Sequence, residues 1–140
     1  MSKRSKGKKP PPTALAMILC DQIITDRETG KHVIVGTFSN IQAPSLPAVH
    51  PSMAIFLALT DGKGKYKGLL RLVHAETDRV LFESHGDLEF EDPLQVLEVV
   101  MRLPVVLLEK RGLHVLQLMV DEALVVERKF NVGPVQEAGK

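Results

Sequence analysis

Residues 112–132 alternate too regularly to be anything but a β-hairpin. His114, Leu116, Leu118 and Val120 share one face of the first arm. Leu124, Val126, Phe130 and Val132 share one face of the second, with Glu127, Lys129 and Asn131 opposite. A period of two is what a strand with one buried side requires. One hairpin cannot bury such a face alone, so the rest of the chain must supply a second layer. At 140 residues the chain is long enough for one domain with a real core. Cys20 is the only cysteine, so no internal disulfide forms and packing must hold that core together.

Other segments repeat the pattern. Residues 14–25 and 32–38 flank the polar loop at 26–31, where Gly30 follows Thr29, and read as a second hairpin. Both of its faces are apolar near the centre, which predicts a central, well-covered position. Residues 41–51 carry Pro44, Pro47 and Pro51, which exclude a helix or a central strand and suggest a crossing between two sheets. Leu46 and Val49 are expected to pin that crossing to the core edge. Residues 52–60 form an apolar strand, and Asp61-Gly62-Lys63-Gly64 is a turn by composition. Beyond it Tyr66, Gly68, Leu70 and Leu72 face one way, against Lys65, Lys67 and Arg71. Residues 80–84 and 87–91 read as two further strands. Residues 94–103 have helical spacing at Leu94, Leu97 and Met101, but Val96, Val99 and Val100 and the following proline favour a strand. About eight or nine short strands at regular spacing predict an all-β fold, an antiparallel, immunoglobulin-like β-sandwich. The domain is placed at 14–134, between a basic, proline-rich tail at 1–13, expected to be disordered, and a flexible end at 135–140.

Charge divides the chain. Lys3, Arg4, Lys6, Lys8 and Lys9 lie in the first ten residues, and the remaining 13 basic against 17 acidic side chains leave a body of about −4. The basic run is a candidate for salt-sensitive contact with nucleic acid, although solvation alone accounts for it. One tyrosine and no tryptophan give little surface for stacking bases. No apolar run is long enough to span a membrane. Residues 14–19, ahead of Cys20, are too short for a signal sequence, and Leu19 stands where a cleavage enzyme needs a small residue. The expected location is cytoplasmic.

Nothing in the sequence spells out a reaction. His32, His50, His74, His85 and His114 show no metalloprotease spacing, and no cysteine pair supplies a zinc knuckle. His74 and His85 flank one hairpin and would need Glu83 or Asp87 as a further metal ligand. Asp87, Glu89, Glu91 and Asp92 read as a solvated acidic face, without a calcium-loop pattern. Cys20 reads as a buried, inert thiol. No catalytic residue, metal or cofactor is expected.

Met17-Ile18-Leu19-Cys20-Asp21, Thr29-Gly30-Lys31, Gly36-Thr37-Phe38, Ala43-Pro44 and Pro47-Ala48-Val49-His50-Pro51 follow one another, then Leu59-Thr60-Asp61-Gly62, Asp92-Pro93 and the closing Gly112 hairpin. This series resembles a family of small bacterial proteins of unknown function. The resemblance covers nearly the whole chain after the tail. It implies a stand-alone cytoplasmic all-β domain and brings no activity, cofactor or catalytic residue. The reading that follows is a non-catalytic module binding a protein partner or a second copy of itself, through loops carrying Pro44, Leu46, Pro47 and His50, and Lys63 and Lys65. Nucleic-acid association through the basic tail is the first alternative. A metal-dependent enzyme using His50, His74 or His85 is the second.

Overall fold

The computed structural model describes residues 9–50, 52–103 and 105–134. Among these the chain is all β, with eleven strands: β1 (Thr13–Thr25), β2 (His32–Thr37), β3 (Asn40–Gln42), β4 (Ala48–His50), β5 (Met53–Thr60), β6 (Gly64–His74), β7 (Arg79–Phe90), β8 (Leu97–Leu103), β9 (Val106–Leu108), β10 (Gly112–Val120) and β11 (Ala123–Gly133). One sheet has the order β2-β1-β5-β8, a second β3-β11-β10-β6-β7, and β4 pairs with β9 alone. Pairing is antiparallel except between β3 and β11.

The strand count exceeds the expected eight or nine because β3, β4 and β9 are three residues each, too short to show a period. Residues 80–84 and 87–90 belong to one long strand, β7, which stays paired to β6 through a register shift opposite Leu72 and Val73, and Glu91 lies just past its end. Residues 94–103 resolve as strand from Leu97 onward, because Val99 and Val100 pair with Leu57 and Phe56.

The two larger sheets share one core. Leu19, Ile55, Leu57 and Leu59 of the first meet Leu70, Leu72, Leu116, Leu118, Val120, Phe130 and Val132 of the second. The alternation of the 112–132 hairpin is realised in His114, Leu116, Leu118 and Val120, all buried. Leu124 departs from it and is 49% exposed. The register shifts between Leu118 and Met119, so Leu124 faces Met119 rather than a core position.

His114 is the unusual member of this core. Its ring stacks on Phe130 at 5.3 Å and meets His74 edge-on at 4.9 Å. Nδ1 lies 3.0 Å from the Gly112 carbonyl, a hydrogen bond that requires Nδ1 to carry the proton. Burial pushes the imidazole below its ordinary value of 6.5, and the neighbouring His74 adds to this. A base depressed in the folded state takes up its proton first in the unfolded chain. The stability it contributes is therefore whole above 6.5 and is lost as pH falls from there through the folded value. Urea midpoints measured between pH 7.5 and 5 should fall, and the fall should shrink in His114→Phe. An equal fall in the variant would assign the effect to other groups.

Candidate interaction surface

The first sheet does not end where its core ends. Asp21 and Gly36 fall in a gap in the β1–β2 ladder, which pairs Cys20 with Thr37 and Gln22 with Val35 in one unchanged register. Gly36 has φ +74°, and a Cβ there would lie 2.7 Å from the Asp21 carboxylate, so the position requires glycine. Beyond this point the β1–β2 hairpin continues to its loop at residues 26–31.

Its two faces differ. On the outer one, Ile23 and Ile34 close over Cys20, Ala54, Phe56 and Val100 as a second, smaller core. The Arg102 guanidinium of β8 donates to the Ile23 carbonyl at 2.8 Å, and His32 lies 3.5 Å from Glu98, so hairpin and β8 side chains meet across β5. Cys20 is fully buried there, and burial pushes its thiol upward, which makes it a structural residue. On the other face Ile24 and Val33 are cross-strand neighbours, 49% and 53% exposed, and Val35 beside them is 41% exposed.

The expectation that this hairpin is central and well covered is thus corrected. β1 is central, but β2 is the edge of its sheet. The edge is also poorly guarded, because His32-Val33-Ile34-Val35-Gly36-Thr37 contains no acidic residue, lysine, arginine or proline. The other edges of the two larger sheets are blunted in recognised ways: β7 carries Arg79, Glu83, Asp87 and Glu89, β8 carries Glu98 and Arg102, and β3 is three residues long.

The expected recognition loops fall at opposite ends of the domain. Pro44, Leu46, Pro47 and His50 precede the start of β5, whereas Lys63 and Lys65 follow its end, so roughly 23 Å of strand separates them. Leu46 packs on the core, but Val49 does not. Ala48 takes the inward position on β4, and Val49 points out opposite Leu107 of β9. His50 approaches Asp21 at 3.8 Å and Phe38 at 5.4 Å between ring centres, which places this loop beside the base of the β1–β2 hairpin. Lys63 and Lys65 lie at the other end. There the Lys63 amide donates to the Tyr66 hydroxyl at 2.9 Å, and that hydroxyl donates to the Pro10 carbonyl at 3.1 Å. Lys9 sits over the Tyr66 ring at 4.1 Å and donates to the Lys65 carbonyl. Lys3, Arg4, Lys6 and Lys8, together with the C-terminal end at 135–140, lie outside the described residues.

The metal-site candidate is not assembled. His74 points into the core, with Nδ1 2.8 Å from the Thr77 hydroxyl and Nε2 2.9 Å from the Arg111 carbonyl. His85 lies on β7 opposite Leu69, five residues along β6, and is exposed. Among the described residues no group of three His, Cys, Asp or Glu side chains is placed to hold a metal ion, and no helix is long and apolar enough to cross a membrane.

An all-β domain with two sheets over one core and an open apolar edge is the class that these observations define. Within it, the chain belongs to a family of unknown function, DUF6941, which matches residues 15–133. No curated protein matches the chain.

Proposed function

We propose that this domain is a non-catalytic, cytoplasmic interaction module that self-associates by pairing β2 with β2 of a second copy. The observation that carries the reading is the unguarded β2 edge with Ile24, Val33 and Val35 exposed beside it. An edge strand offers a row of unpaired backbone donors and acceptors, and a second strand satisfies them. An antiparallel β2–β2 pair is two-fold symmetric, so residue i meets j and j meets i, and this strand brings no like-charged Asp, Glu, Lys or Arg together in any register.

Strand order supports the finer assignment of an immunoglobulin-like sandwich. β10 and β11 correspond to the F–G hairpin, β6 and β7 to C and C′, and β5 and β8 to B and E. The β1–β2 hairpin then occupies the place of strand A, on the free side of B, and turns that side of the sheet into an extended ledge.

Sedimentation across a hundredfold concentration range tests the proposal. The native chain should show a monomer–dimer equilibrium, and Val33→Lys with Val35→Lys should weaken it by about tenfold or more while leaving the monomer folded. A chain that stays monomeric throughout, or a dimer that tolerates both lysines, would sink self-association through this edge.

A further inference from the structure

A sizeable cavity lies away from the hairpin, on the outer face of the second sheet. It is a cleft of about 810 Å³. We propose that it binds a small amphiphilic oxyanion, a carboxylate or phosphate ester carried on a short apolar body.

Four separate segments build the cleft, β7 among them through His85. β6 supplies Lys67, Leu69 and Arg71, the β10–β11 turn supplies Met119 and residues 120–123, and the segment before β1 supplies Lys9 and Pro11. That last segment forms a wall because Tyr66 holds Pro10 and Lys9 in place. Lys9, Lys67 and Arg71, with His85 from β7, give the cleft its polar groups for an anion. Leu69, Met119, Pro11 and Ala123 give it an apolar lining. This combination of a mostly apolar cleft and a few convergent charges is the usual form of a small-molecule site.

The cations are not neutralised by their strand neighbours. Lys67 and Arg71 pair in register with Asp87 and Glu83, yet neither pair closes to an ion pair among the described residues. Arg71 donates through Nη2 to Gln117 at 3.2 Å, and its Nε is buried with no hydrogen-bond partner among the described residues. A buried, unused guanidinium donor costs free energy that an oxyanion at Arg71 would recover.

Two carboxylates also line the cleft. Asp121 is occupied in holding the turn, for its Oδ1 accepts the Lys67 amide at 2.8 Å and its own amide donates to the Lys67 carbonyl at 2.9 Å. Asp121 and Glu122 have φ +48° and +72°, a left-handed pair without glycine. A two-residue hairpin turn of type I′ requires positive φ at both of its central residues, and these two are the loop between β10 and β11. The two Asp121–Lys67 hydrogen bonds set this turn against β6 at one end of the cleft.

Backbone and Arg71 side-chain NMR signals of the full chain, titrated with octanoate, octyl phosphate and inorganic phosphate, test the proposal. Octanoate or octyl phosphate should give saturable shifts at Lys67, Leu69, Arg71 and residues 119–123, and whichever binds tighter identifies the head group as carboxylate or phosphate ester. Arg71→Met should weaken that binding by about tenfold or more, with a native-like spectrum confirming the fold, and Lys63→Gln outside the cleft should leave it unchanged. No saturation with either amphiphile, equal affinity for inorganic phosphate, or full binding in Arg71→Met would overturn it.

Discussion

Phe130→Ala is expected to destabilise the domain by about 3–5 kcal/mol, enough to remove much of the stability of an ordinary domain. Phe130 is 1% exposed and is among the largest fully buried side chains. Its ring stacks on His114 and meets Phe38 edge-on at 6.2 Å, so it fills the space between β11, β10 and the segment that follows β2. Truncation leaves a cavity beside an imidazole that is already short of solvent. Water entering there would solvate His114 and weaken its preference for the neutral form. Two readouts are therefore linked: the urea midpoint at pH 7.5 should drop, and the pH dependence below 6.5 should flatten. A loss below about 1 kcal/mol would show that the site collapses around the smaller side chain.

Gly62→Ala is expected to cost about 1–3 kcal/mol although it adds a single methyl group. The added Cβ would lie 2.2 Å from Cδ1 of Phe90 and 2.3 Å from Cε1. Phe90 is 3% exposed and packs edge-on against Tyr66 at 5.9 Å, so the ring cannot swing away freely. Its displacement would carry Tyr66 with it and loosen the hold of Tyr66 on Pro10. Gly86→Ala is the matched control. No atom lies within 4 Å of a Cβ there, and its effect should stay within about 0.5 kcal/mol. Thermal unfolding of the two variants side by side separates a steric cause from the general effect of replacing glycine in this β domain. Equal midpoints would remove the steric argument.

The fold was legible wherever one face of a strand is buried and the other is wet. Tyr66, Leu70 and Leu72 on β6, and Leu118 and Val120 on β10, alternate with polar or partly exposed neighbours, and the structure buries the set that alternation selects. Where both faces are apolar the pattern carries less. Val33, Ile34 and Val35 look the same in a covered central strand as in an uncovered edge, because sheet order depends on pairings across the whole chain and not on the strand itself. The three shortest strands had no room to display a period. The cleft was hidden for another reason. Lys67 and Arg71 read only as the face of their strand opposite Leu70 and Leu72, and their convergence with Lys9 and Met119 exists only once β6, the β10–β11 turn and the segment before β1 are brought together. The histidines misled in the opposite direction: His74 and His85 are near in sequence, but one faces the core and the other is exposed.

The parallel pairing of β3 with β11 joins Asn40 to Asn131 and Ile41 to Val132, positions about ninety residues apart. During synthesis on the ribosome, β1, β2 and β5 emerge early and can pair at once. β3 has to wait for the last strand of its sheet. At ordinary elongation rates, about 73 residues between the end of β5 and the end of β11 take roughly 4–15 s. Throughout that interval the inner faces of β5 and β6, with Ile55, Leu57, Leu70 and Leu72, have no completed second sheet to cover them. A nascent chain halted near residue 110 should therefore be a strong client for chaperones that bind exposed apolar strands, and one released after residue 133 should not.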